Sequence, residues 1–246
     1  MTSAKGDRRF QVLPDAQAVA TEAAAHLIAR IAENRMRPAI CLTGGSGPKA
    51  LYALLGSPDY RSRIAWDRVH WFIGDERFVS PDDRRNNMTI AREIFLNRCA
   101  PPDNIHPIPT HARDPDTAAR HYESELQNFY GARHLDAARP LFDLVLMGLG
   151  PDGHTASLFP GDKALEETKR WVVGVDSANV EPFVPRVTLT LPALASSREM
   201  LFLVAGETKR DILSKVMAGA DLPGTRVHSN GVTTWLTDAA AAGRTA

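Results

Sequence analysis

The chain reads as a single α/β domain built on a doubly wound, mostly parallel sheet. Strand-length apolar runs alternate with amphipathic helical stretches along nearly all of its 246 residues. The most apolar run, 144–147, shows no alternation, as expected of a parallel strand buried on both faces. It breaks at once into a Gly-rich turn from Gly148 to Gly153. Open α/β sheets hold their ligands at such strand-to-loop junctions.

Taken in order, residues 1–9 are polar and expected to be loose, with the domain covering 10–237. Asp15 is placed to cap a helix whose stripe is Val19, Ala23, Leu27 and Ile31. Residues 39–42 form a short strand, and Pro48 suits the first turn of the next helix. A strand at 69–73 runs into a polar turn, Gly74-Asp75-Glu76-Arg77, and 86–96 is helical in pattern. The prolines around 105–108 allow only a short or edge segment there. Asp114-Pro115 starts a helix reaching Tyr130. After the central strand, strands are expected at 171–175, 187–191, 200–204 and 231–236, with a helix at 209–217. The Ala/Gly-rich stretch 238–246 is expected to fray.

Composition narrows the function. Lys plus Arg equals Asp plus Glu at 29 each, so no basic field points to nucleic acid or a membrane surface. No apolar run approaches the roughly 20 residues of a membrane span, and no signal-peptide core is evident, so the chain reads as cytoplasmic. Cys41 and Cys99 are too few for a disulfide framework or a zinc site, and Cys41 reads as a small core residue. No metal is implied. The oligomeric state is left open, with a monomer favoured.

His154 is the first catalytic candidate, because a Gly-rich turn after a buried strand presents a group that titrates near neutral pH. Asp152 and Asp75 are both candidates to fix its tautomer. Gly148, Gly150 and Gly153 also match a dinucleotide fingerprint, with Asp176 at the matching distance. Pro151 removes a backbone donor and Pro160-Gly161 cuts off the required helix, so that reading is set aside. The turn Thr43-Gly44-Gly45-Ser46-Gly47-Pro48 suits the phosphate of a small metabolite, and a plain βα turn is the alternative. Asp75, Glu76 and Arg77 read as either site residues or a solvated turn, and Arg186 and Lys209 as either phosphate clamps or surface charge. No nucleophile elbow supports a covalent serine mechanism, and His70 and His106 read as structural.

Five stretches in order resemble the 6-phosphogluconolactonases, relatives of the glucosamine-6-phosphate deaminases. They are Leu42-Thr43-Gly44-Gly45-Ser46-Gly47, Gly74-Asp75-Glu76-Arg77, the block from Gly148 through His154 to Pro160, Pro185-Arg186-Val187-Thr188-Leu189-Thr190 and Gly206-Glu207-Thr208-Lys209. The resemblance implies a Rossmann-like fold similar to the deaminases and no organic cofactor. It implies hydrolysis of 6-phospho-D-glucono-1,5-lactone to 6-phosphogluconate in the oxidative pentose phosphate pathway. It makes His154 the general base, with Asp75 as a further catalytic residue. Arg186 and Lys209 become phosphate ligands, with Gly44, Gly45, Ser46, Arg77 and Gly153 in the same substrate site. Deaminases resemble Asp-Glu-Tyr at the second stretch and carry a Glu five residues after the central His. This chain has Arg77 and Phe159 there, which favours the lactonase branch. A non-catalytic sugar-phosphate domain of a transcription regulator would need a DNA-binding segment, for which the N-terminal stretch is too short.

Overall fold

The computed structural model describes residues 7–244. Strand β1 (Asp7–Leu13) leads into helix α1 (Ala16–Glu33). Asp15 caps that helix by accepting from the Ala18 N–H at 2.8 Å, and the expected stripe is buried. Strand β2 (Ala39–Leu42), helix α2 (Lys49–Leu55) and the short α3 (Pro58–Arg61) follow. Strand β3 (His70–Ile73) is separated from β4 (Asp75–Arg77) by Gly74 alone. Helix α4 (Asn87–Ala91) continues through a π turn, Arg92–Leu96, into α5 (Asn97–Cys99).

Helix α6 (Pro115–Tyr130) begins at the Asp114-Pro115 cap and stops at Gly131, whose φ of 77° only glycine adopts freely. Strand β5 (Phe142–Met147) then leads to β6 (Val172–Val175), β7 (Arg186–Leu189), α7 (Leu191–Ala195) and β8 (Ser197–Val204). Helices α8 (Arg210–Met217) and α9 (Pro223–Arg226) precede the final strand, β9 (Val232–Asp238).

The main sheet has six parallel strands in the order β1-β9-β8-β5-β2-β3. Strand β5 lies inside it with Leu144, Val145 and Leu146 fully buried, each such side chain contributing about 1.5–3 kcal/mol. Asp143, the polar exception in β5, accepts from Asn34 Nδ2, the Ala39 N–H and Arg198 Nε at 2.9, 2.9 and 3.1 Å. Cys41 is buried in the same core, and burial pushes its thiol pKa up, as suits an inert packing residue.

Three sequence expectations change. Residues 7–9 are not loose: Asp7, Arg8 and Arg9 pair in register with Val232, Thr233 and Thr234, while 1–6 lie outside the described residues. Asp238 is the end of β9 rather than a fraying tail. Its carboxylate accepts from Gly206 N–H at 3.0 Å and Ala241 N–H at 2.8 Å, and Ala241 is buried. The 74–77 segment is no solvated turn. Its strand β4 joins β7 and β6 in a separate three-stranded antiparallel sheet, pairing Asp75 with Thr188 and Arg77 with Arg186. The dinucleotide reading fails as expected, since no helix opens at Gly153 and a short bridge, Thr155 with Leu158, occupies its place.

Candidate active site

A cavity of about 390 Å³ opens where the parallel strands end, roofed on one side by the small sheet. Gly44, Gly45, Ser46, Asp75, Arg77, His154, Arg186 and Lys209 all line it. Gly153 does not. Its φ of 86° makes the turn, its carbonyl accepts from Gly224 N–H at 3.0 Å, and a side chain there would crowd Leu222.

His154 is held by its own turn. The Gly150 N–H donates to the His154 carbonyl at 2.8 Å, and a Cβ on Gly150 would fall on the imidazole itself. Asp152 Oδ1 accepts from the His154 backbone N–H at 3.1 Å and lies 2.5 Å from Nδ1. A carboxylate only accepts, so this contact puts the proton on Nδ1 and leaves Nε2 as the basic lone pair. Asp152, not Asp75, therefore orients the ring. Ala156, two residues after His154, sits at a φ of 49°, a left-handed conformation costing about 1–3 kcal/mol that clusters at working turns. The Phe159 ring lies 4.9 Å from the His154 ring, so an apolar group stands where a deaminase would carry its Glu.

The antiparallel sheet supplies the opposite wall. Asp75 is buried, and its Oδ2 accepts from Ser157 Oγ at 2.7 Å, tying β4 to the loop that follows His154. Glu76 points away from the cavity and accepts from the N–H groups of Arg77, Asn87 and Met88 at 2.8, 2.7 and 2.9 Å. Burial pushes its carboxyl up to about 8 against the opposing pull of those N–H groups. Glu76 thus secures the start of α4 rather than taking part in chemistry. Ser157, which holds Asp75, and Asn87, which lines the cavity, are residues that spacing alone did not reveal. Ser157 falls inside the quoted block but carries no distinctive pattern, and Asn87 lies in none of the five stretches.

Cations dominate the cavity. Arg186 is only 3% exposed; its Nε donates to Val184 O at 3.2 Å and its Nη2 to Pro182 O at 2.8 Å. Burial lowers its pKa, partly offset by the nearby Asp75. Lys209 Nζ donates to Leu149 O at 2.7 Å, and burial lowers its pKa against the pull of Asp152. Arg77 Nη1 donates to Arg85 O at 2.8 Å, while its buried Nε has no partner among the described residues. Arg77 and Arg186 are register partners, and like charges side by side are destabilising. Carbonyl partners orient these side chains without neutralising them, so the cavity is built to receive an anion.

Among the described residues no three His, Cys, Asp or Glu side chains converge to hold a metal ion. No described helix is long and apolar enough to cross a membrane.

Residues 14–235 match the family described as glucosamine-6-phosphate isomerases/6-phosphogluconolactonase. A protein from a Nostoc species named 6-phosphogluconolactonase is 37% identical over 243 residues, covering 95% of this chain and 97% of that one. The solved structure of 6-phosphogluconolactonase from Trypanosoma brucei superposes with a TM-score of 0.83 at 28% identity, covering 98% and 99% of the two chains. A monomeric glucosamine-6-phosphate deaminase shares the fold, with a TM-score of 0.81 at 21% identity over 96% and 99%. With the fold, the cavity and the sequence match in agreement, the chain belongs to the glucosamine-6-phosphate isomerase/6-phosphogluconolactonase family.

Proposed function

We propose that this protein hydrolyses 6-phospho-D-glucono-1,5-lactone to 6-phosphogluconate with His154 as general base. The activity is that of its 6-phosphogluconolactonase relatives, a carboxylic ester hydrolysis in the pentose phosphate pathway. The observation that carries the mechanism is the His154–Asp152 contact, which leaves Nε2 free on a ring lining the cavity.

In this reading Nε2 takes a proton from a water that attacks C1. The C1 carbonyl becomes a tetrahedral oxyanion, for which the guanidinium of Arg77 lining the cavity is the proposed donor. The C1–ring oxygen bond then breaks, and His154 returns its proton to the departing oxygen, leaving a carboxylic acid and a free hydroxyl. Arg186, Lys209 and the Gly44-Gly45-Ser46 turn take the phosphate, so that remote binding energy holds C1 against His154. Asp75, with one oxygen engaged by Ser157, offers the other to a sugar hydroxyl. We propose that the reaction runs in the cytoplasm with a monomer as the working unit.

The test is proton release from freshly generated lactone, with the wild type, His154→Ala and an enzyme-free blank run together. Glucosamine 6-phosphate serves as a second substrate. Acceleration that collapses in the variant is the expected result. Ammonia release from the amino sugar would instead make the chain a deaminase, and an unchanged kcat in the variant would remove His154 from the base role.

A further inference from the structure

We propose that Asn87 is a positioning residue for this reaction, fixing the distance between the phosphate end of the cavity and its reacting end. The inference rests on the lactonase reading above.

Asn87 opens helix α4, is only 2% exposed and lines the cavity. Its backbone N–H is gripped by the Glu76 carboxylate at 2.7 Å, so the residue cannot drift from β4. Its Nδ2 donates to the Asp75 carbonyl at 3.1 Å. That contact also settles which way the amide faces, because a flipped amide would set Oδ1 against the same carbonyl. On its other side the amide fills the space above Gly44, where a Cβ would overlap Oδ1, Cγ and Nδ2. One side chain therefore spans from the strand carrying Asp75 and Arg77 to the turn assigned to phosphate.

The remaining atom is the telling one. Oδ1 is buried and has no hydrogen-bond donor among the described residues. An unsatisfied buried acceptor weakens a fold, so stability alone does not account for an amide here. A rigid spacer does. Phosphate binding accelerates chemistry at C1 only if the two ends of the substrate are held in fixed relation, and a misplacement of about 1 Å costs on the order of a hundredfold. Glu76 below, Asp75 beside and Gly44 above leave the Asn87 amide one position, and the turn inherits it.

The decisive experiment compares kcat and KM on the phosphorylated lactone and on unphosphorylated D-glucono-1,5-lactone. Wild-type preference for the phosphorylated substrate tests the lactonase reading; the variants test the inference. Asn87→Ala should lower kcat on the phosphorylated lactone by about tenfold to a hundredfold while KM moves less than about threefold. The loss on the unphosphorylated lactone should be severalfold smaller, since that substrate has no phosphate end to hold in place. Asn87→Leu, which keeps the volume but cannot donate to the Asp75 carbonyl, should show the same split and guards against misfolding of the alanine variant. Gly44→Ala should depress the melting temperature when Asn87 is present and far less when combined with Asn87→Ala, without restoring the kcat of the double variant. Equal losses on both substrates, or an unchanged kcat on the phosphorylated one, would overturn the proposal. A wild type without activity on either lactone would sink the lactonase reading itself, and the inference with it.

Discussion

Two histidines in this molecule sit against carboxylates at nearly the same distance and serve opposite ends. His154 Nδ1 lies 2.5 Å from Asp152, and His106 Nδ1 lies 2.6 Å from Glu125. The difference is in the second nitrogen. His106 Nε2 is 2.9 Å from His70 Nδ1, and the ring stacks on Phe72 at 4.3 Å, so both nitrogens are spent inside the fold. His154 Nε2 makes no hydrogen bond among the described residues, and its ring lines the cavity. A carboxylate partner thus orders an imidazole in either setting. In the proposed mechanism, the open second nitrogen beside a cavity is what turns the ordered ring into a base.

The largest effect that would break this comparison is the loss of each ring. His154→Ala should reduce kcat by about 10²- to 10⁴-fold with little change in melting temperature. His106→Ala should leave kcat intact and lower the unfolding free energy by about 1–3 kcal/mol. Steady-state kinetics and urea unfolding on the two variants decide it, and a kcat loss from His106→Ala would erase the distinction.

Removing only the partner is a finer cut. Asp152→Asn should lower kcat by about a hundredfold or more, because an amide can donate to Nδ1 and stabilise the wrong tautomer. Glu125→Gln should register in stability alone. Smaller still, Arg186→Ala or Lys209→Ala should raise KM for the phosphorylated lactone by about tenfold to a hundredfold, the scale of one charge-assisted hydrogen bond. An unchanged KM in both would put the phosphate elsewhere.

The subtlest test uses pH. Burial, then His106 and Arg37, pull the pKa of His70 down to about 4. The unfolded chain takes up that proton near pH 6.5, whereas the native state resists it until about pH 4. The stabilisation is therefore complete above about 6.5 and is lost as the pH falls towards 4. His26, raised mainly by its hydrogen bond to Glu199, works in the opposite sense, so the difference between wild type and His70→Phe is the quantity to measure. Urea midpoints at pH 7 and pH 5 should fall further for the wild type than for the variant. Parallel declines would acquit His70.

Much of the main sheet was legible because its strands are short apolar runs and its helices carry caps, as at Asp15 and Asp114. Strand β1 was missed because Asp7, Arg8 and Arg9 read as a polar tail, and an edge strand needs no apolar alternation to pair. Strand β4 was missed for a related reason. Asp75, Glu76 and Arg77 look like a solvated turn, yet each is committed to a partner outside that turn: Ser157, the start of α4 and Arg85. The same dependence on the fold left Asp152 and Asp75 as open alternatives for orienting His154. It hid Asn87 altogether, since the cradle over Gly44 exists only once two distant segments meet.

Strand β1 finds its sheet partner in β9 at the far end of the described chain, pairing Asp7 with Val232 through Leu13 with Asp238. During synthesis the opening segment therefore has no partner until residue 238 has cleared the ribosome. Asp238 also fixes the Gly206 N–H at the head of the turn bearing Lys209. A nascent chain halted before this strand would hold the loop of His154 but lack both its outer strands and the anchor beneath Lys209. Activity should consequently arrive as an all-or-none event once β9 emerges, and a chain cut before β9 should be a target for quality control rather than a weaker enzyme.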